Sequence, residues 1–164
     1  MKILITGATG YIGKRLIPIL LNEGHHLICT VRDIARIEHL YAKDENIEFV
    51  EIDFLKANSL RLIPSEIDIA FYLIHSMSNS AKEFHILEER CAFNFKRALE
   101  KTSVKQVIYL SGITNDTKLS KHLLSRKNVE KTLQSKQYAL TRISVIFIPS
   151  CFIVKSFKIF SDTL

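Results

Sequence analysis

Three of the five glycines in the chain, Gly7, Gly10 and Gly13, fall at three-residue steps inside Thr6-Gly7-Ala8-Thr9-Gly10-Tyr11-Ile12-Gly13. An apolar run precedes them and a helical pattern follows. Phosphate recognition by backbone amides needs this arrangement, because any side chain in the loop holds the anion away from the N–H groups. Gly7 permits a tight turn off a strand, Gly10 lets the backbone approach a pyrophosphate, and Gly13 lets a helix pack close to the sheet. Thr9, Tyr11 and Ile12 complete the turn, and the helix after it supplies unpaired amides and a partial positive charge. The plainer alternative is a tight strand-to-helix turn without a ligand. A triphosphate-binding loop would need a glycine five residues after Gly7, then Lys and Ser or Thr; the chain has Ile12, and Lys14 is followed by Arg15. A dinucleotide, not a nucleoside triphosphate, is the expected ligand.

The second apolar run ends in Val31-Arg32-Asp33. A site that prefers NAD places a carboxylate there to accept hydrogen bonds from the ribose 2′-hydroxyl. A guanidinium suits a 2′-phosphate instead, so Arg32 favours NADP, with NAD as the other option. Arg32 is otherwise a solvated loop cation, and Asp33 reads as the N-cap of the next helix. Cys29, Cys91 and Cys151 are odd in number and far apart, which fits neither a disulfide framework nor a zinc site, and no metal-ligand set is expected.

Positioning such a loop requires a sheet. Short apolar or β-branched runs alternate with helical periodicity, the rhythm of an α/β, doubly wound parallel sheet (a Rossmann fold) with helices on both faces. Strands are predicted at Lys2 to Thr6, Leu27 to Val31, Ile47 to Ile52, Ile69 to Ile74, Gln106 to Leu110 and Ala139 to Ile148. A helix over Tyr11 to Glu23 carries Pro18, which predicts a kink, and closes at Gly24. Crossover helices are expected at Ile34 to Ala42 and Ala57 to Ile63. A long helix over Ser80 to Lys101 has an apolar stripe through Phe84, Leu87, Cys91, Phe95, Ala98 and Leu99, with its charges facing water. The last helix, Leu119 to Ser135, carries Leu123, Leu124, Val129 and Leu133.

With these elements in place, the chain resembles the atypical extended short-chain dehydrogenase/reductases, the branch that includes NmrA-like proteins and other NAD(P)H-binding relatives. The resemblance runs from Met1 to about Leu140. It rests on the glycine loop, Val31-Arg32-Asp33, Asp53-Phe54, Asn94 and Val104-Lys105-Gln106-Val107-Ile108-Tyr109-Leu110-Ser111. The resemblance implies that Asp53 and Phe54 lie beside the adenine and that Ile74, His75 and Ser76 line the ribose and nicotinamide. Asp53 has helix capping as its alternative role, and His75 a structural one. The family's reaction centre combines a Ser or Thr after the fifth strand with a Tyr and, four residues later, a Lys. Ser111 matches the first; His122 and Arg126 stand at the other two positions. His122 offers an imidazole for the proton and Arg126 a cation for the nicotinamide ribose, although a guanidinium does not reproduce an ammonium geometrically. Both alternatively belong to an exposed helix face.

Composition narrows the rest. With 47% hydrophobic and 24% charged residues among 164, the chain suits one globular domain. The net charge of +6 is scattered, so no nucleic-acid arm is expected. No apolar run is long enough to span a membrane, and a cytoplasmic location is expected. The dinucleotide-binding domain is assigned to residues 1–148, and residues 149–164 form an irregular apolar tail. The resemblance implies a glycine after the sixth strand, which Thr141 to Pro149 does not contain, and a substrate-binding half beyond it, which is expected to be missing; the tail is a candidate surface for self-association into a homo-oligomer. Three functions stay open: an NADP(H)-dependent oxidoreductase or epimerase-like protein acting on a small molecule, a non-catalytic NADP(H)-binding module that reports redox state through a protein partner, and a folded remnant with no retained activity.

Overall fold

A computed structural model describes residues 1–41, 44–75, 84–112 and 121–145. Six strands form a single sheet: β1 (Lys2–Thr6), β2 (His26–Val31), β3 (Ile47–Glu51), β4 (Ile69–Tyr72), β5 (Gln106–Gly112) and β6 (Ala139–Val145). Their spatial order is β3-β2-β1-β4-β5-β6 and every pairing is parallel. Ile3 pairs with Leu27 on one side and Ile69 on the other, so β1 is central and the strand order reverses between β1 and β4. In open parallel sheets the crevice above the carboxyl ends at such a reversal is where ligands bind. The expected doubly wound fold is the one observed.

The alternation of side chains along each central strand divides the core into two layers. Ile3, Ile5, Leu27 and Cys29 face α1 (Gly13–Asn22), which buries Leu16, Ile17 and Leu20 against them. Burial of each such side chain contributes about 1.5–3 kcal/mol. Leu4, Ile28, Ala70 and Tyr72 face the opposite way, toward α2 (Phe84–Leu99) and α3 (Lys121–Leu133). The strip of α2 on that face is Cys91, Ala92, Phe95 and Leu99, all buried. Phe95 touches the rings of both Phe54 and Tyr72, with centroids 5.7 and 4.9 Å away.

Several element boundaries differ from the sequence expectation, each for a local reason. Helix α1 begins two residues later than Tyr11, because Gly10 N–H donates to Gly7 O at 2.9 Å and commits the intervening residues to a turn. Its end is as expected: Gly24 adopts φ +77°, and His25 N–H reaches back to Leu20 O. The crossover helix expected over Ile34 to Ala42 is absent from its described part, which forms two three-residue 3₁₀ turns, Ile34–Arg36 and Glu38–Leu40. Between them Ile37 is fully buried at φ −139°, outside the helical range. The stretch near Ala57 to Ile63 likewise gives only a 3₁₀ turn, Ser59–Leu62, since Ile63 precedes Pro64 and is extended. On α3, Leu124 is half exposed, and Ser125 occupies the core-facing position in line with Val129 and Leu133. Residues 80–83 and 146–148, at the ends of predicted elements, lie outside the described residues.

Candidate cofactor site

The glycine loop crosses the carboxyl end of β1 beside the end of β4. Thr6 fixes this junction: its buried hydroxyl donates to Phe71 O at 3.1 Å and accepts Leu73 N–H at 3.0 Å. Gly7 follows at φ +68°, where a Cβ would stand 2.7 Å from Leu73 O. Gly13 is required for a different contact from the expected one. A Cβ there would meet Gly7 O at 2.5 Å and Ala8 Cα at 2.8 Å, so the helix start packs on the loop's own backbone rather than on the sheet. Gly10 is open apart from Gly7 O at 3.1 Å, which leaves its outer side to a ligand. Ile12 at the N-cap makes no side-chain capping bond, and no acidic residue occupies the first turn of α1. The positive end of the helix is therefore uncompensated by its own side chains. Thr9 and Tyr11 are exposed; Arg15 lies over the Tyr11 ring, 3.5 Å from its centroid, and donates to Tyr11 O.

Arg32 is exposed immediately after β2 and makes no ion pair among the described residues. Asp33 stands at the N-cap position of a 3₁₀ turn without a side-chain capping bond, and pairs with Arg36 at 3.8 Å. After β3, Asp53 closes a local turn: its Oδ1 accepts Leu55 N–H at 3.0 Å, and Ser59 Oγ bonds its backbone. Phe54 is only 4% exposed, so its ring belongs to the core and an adenine beside this loop would meet backbone and rim. Asn94 from α2 explains the loop's placement, since its Nδ2 donates to Phe54 O at 2.6 Å. Ile74 is half-buried against the α2 layer.

His75, next along the chain, brings in a residue that the sequence reading passed over. Glu88 on α2 is buried, so the expectation that the charges of this helix face water fails there. Its Oε1 lies 3.8 Å from His75 Nδ1, and its Oε2 accepts the Ser125 hydroxyl at 2.5 Å. A buried carboxylate requires such partners. The signal was present in the spacing: Glu88 is three residues before Cys91 and seven before Phe95, on the apolar stripe itself.

Ser111 is buried at the end of β5. Arg126 is half-buried on α3 and its backbone carbonyl accepts the Tyr109 hydroxyl at 3.2 Å. His122 belongs to the first turn of α3, but its side chain is outside the described residues, as is Ser76. The expected Ser111, His122 and Arg126 thus sit on β5 and α3, and Ser125, next to Arg126, is turned inward with Val129 and Leu133. Burial drives the Cys29 thiol up to about 12 and that of Cys91 up to about 11, where neither is a nucleophile near neutral pH. No group of three or more metal-ligating side chains occurs among the described residues. A 480 Å³ cleft lined by Ile86, Arg90, Phe93 and Lys131 lies between the outer faces of α2 and α3, away from the glycine loop.

An open parallel sheet with a glycine loop at its reversal point defines a dinucleotide-binding class. Comparison with known proteins agrees: the profile of an NAD(P)H-binding family matches residues 7–144, and the chain belongs to that family. It is 30% identical over 127 residues to the auxiliary protein GraX of Staphylococcus aureus (strain NCTC 8325 / PS 47), covering 74% of this chain and 40% of GraX. It is 22% identical over 111 residues to the photosystem II assembly factor Ycf39 of Synechocystis sp. (strain ATCC 27184 / PCC 6803 / Kazusa), covering 68% and 33%. The chain therefore spans well under half the length of these relatives. Among solved structures it is similar to the Citrobacter sp. triphenylmethane reductase complexed with NADP(H), at a TM-score of 0.76 and 17% identity over 99% of this chain and 55% of the reductase. No helix among the described residues is long and apolar enough to cross a membrane.

Proposed function

We propose that residues 1–148 form the NADP(H)-binding unit of a reductase-type protein that passes hydride between the dinucleotide and a small-molecule acceptor. The observation that carries this reading is the loop around Gly10, open on its outer side, at the uncapped start of α1. The pyrophosphate sits on these amides, and the exposed guanidinium of Arg32 takes the 2′-phosphate. The Asp53 turn borders the adenine, and the end of β4 at Ile74 and His75 borders the nicotinamide. Bound NADPH supplies the hydride; the chain's residues orient it and exclude water. Ser111 at the end of β5 faces the acceptor, with His122 and Arg126 at the family's Tyr and Lys positions. Support comes from the NADP(H) complex of the structurally similar triphenylmethane reductase.

The names of two relatives, an auxiliary protein and an assembly factor, favour a second reading in which the same site binds NADP(H) without turnover and reports to a protein partner. Calorimetric titration with NADPH followed by an NADPH-oxidation assay with quinone and aldehyde acceptors separates the two. Binding with turnover supports the first, binding without turnover the second, and no binding refutes both.

A further inference from the structure

The buried carboxylate of Glu88 needs a reason. It lies in an otherwise apolar layer beside Tyr72, Cys91 and Tyr109, whose pKa values are all pushed up by burial, so these neighbours stay neutral near pH 7. Among the described residues the one basic side chain within ion-pair distance of it is that of His75, at 3.8 Å. Three elements converge on the pair: the segment after β4 brings His75, α2 brings Glu88, and α3 brings Ser125. Ser125 donates to Oε2 and leaves Oε1 toward His75 Nδ1.

This imidazole is also tied to the phosphate loop. Leu73, two residues before His75, is the residue whose carbonyl abuts Gly7 and whose N–H is held by Thr6. His75 therefore follows the carboxyl end of β4, the strand bordering the reversal point, and its side chain is 29% exposed while that of Glu88 is 6% exposed. A carboxylate behind Nδ1 fixes one orientation and one tautomer of a neutral imidazole and leaves Nε2 for exchange with whatever occupies the crevice. The 3.8 Å separation is that of an ion pair; such contacts tighten when the site fills.

We propose that His75, held by Glu88 and Ser125, is the proton-handling residue of this site. The inference rests on the NADP(H)-dependent reductase reading above and answers its open chemical question, the route of the proton where the family's Tyr is replaced. His75 gives its Nε2 proton to the carbonyl oxygen of the acceptor as hydride from C4 of the dihydronicotinamide reaches the carbonyl carbon. The acceptor gains two electrons and becomes an alcohol, the dinucleotide loses them, and His75 regains its proton from water. Glu88 and Ser125 are positioning residues that hold the ring with Nδ1 toward the carboxylate, so that after transfer the neutral imidazole keeps its proton on Nδ1.

Long-range ¹H–¹⁵N NMR of the ¹⁵N-histidine-labelled full chain tests this without relying on turnover. The neutral His75 ring is expected as the Nδ1–H tautomer, reverting to Nε2–H in Glu88→Gln. Its resonances are expected to move on titration with NADPH and to stay in place with adenosine 2′,5′-bisphosphate, which lacks the nicotinamide half. With NADPH and 9,10-phenanthrenequinone, His75→Ala is expected to lower kcat about a hundredfold with NADPH Kd within about threefold, the scale of a lost general acid. An Nε2–H tautomer in the wild type, His75 resonances indifferent to bound NADPH, or quinone turnover that survives His75→Ala would each overturn the proposal and leave the reductase reading standing. A wild type that does not bind NADPH, or that binds it and turns over no quinone, overturns the reductase reading and this inference together.

Discussion

Gly7 and Leu73 are in such close backbone contact that a Cβ on Gly7 would lie 2.7 Å from the Leu73 carbonyl oxygen. That contact joins the loop after β1 to the segment after β4 and sets the edge of the crevice. Gly10, three residues on, meets only Gly7 O at 3.1 Å. Gly7→Ala is therefore expected to be a folding lesion, costing about 2 kcal/mol or more through the left-handed φ and the clash. Gly10→Val is expected to keep strand and helix content while abolishing dinucleotide binding. Circular dichroism with urea unfolding, followed by calorimetric titration, checks both; if Gly10→Val bound NADPH normally, the phosphates would have to sit elsewhere.

Arg32 is expected to set cofactor preference. Wild-type protein should bind NADPH more tightly than NADH, and Arg32→Ala should remove most of the difference, a loss of about 1.5–3 kcal/mol for a hydrogen bond to a charged group. Far-ultraviolet spectra should not change, since the side chain is exposed and makes no ion pair among the described residues. Equal wild-type affinities would remove Arg32 from the site.

Asn94 holds the loop after β3 through its 2.6 Å bond to Phe54 O. Asn94→Ala leaves that carbonyl unpaired and is expected to cost about 1 kcal/mol or more in stability. NADPH affinity should fall as well, because the Asp53 turn loses its anchor to α2. Unchanged unfolding midpoint and affinity would show the bond to be incidental.

The two buried thiols make stability depend on alkaline pH. Their folded values, about 12 for Cys29 and about 11 for Cys91, lie above the ordinary 9.0, so the folded chain holds these protons more tightly than the unfolded chain. Stability is full below pH 9 and declines as pH rises toward 11, by up to about 1.4 kcal/mol per pH unit for each thiol. Urea midpoints measured from pH 8 to 11 should show this slope, and Cys91→Ala should reduce it. A flat profile would mean that water reaches both sulfurs in the folded state.

The parallel sheet, its glycine loop and the cation after β2 were legible in the sequence because each depends on local chemistry: period-two apolar runs, residues lacking Cβ, and a charge at a strand end. The Ile34 to Ala42 crossover was not. Helical spacing there was overridden when Ile37 was drawn into the core at a non-helical φ, a choice made by packing against the sheet. Glu88 shows the same limit at the site. Its place on the apolar stripe of α2 was visible in the spacing, but a carboxylate is sustainable there only because Ser125 and His75, from two distant parts of the chain, arrive beside it. Sequence by itself determined the class of fold and the glycine loop between its first strand and first helix. Only the tertiary structure decided which polar side chains meet in the interior, since the cost of burying a charge is met by partners that the folded chain alone brings into contact.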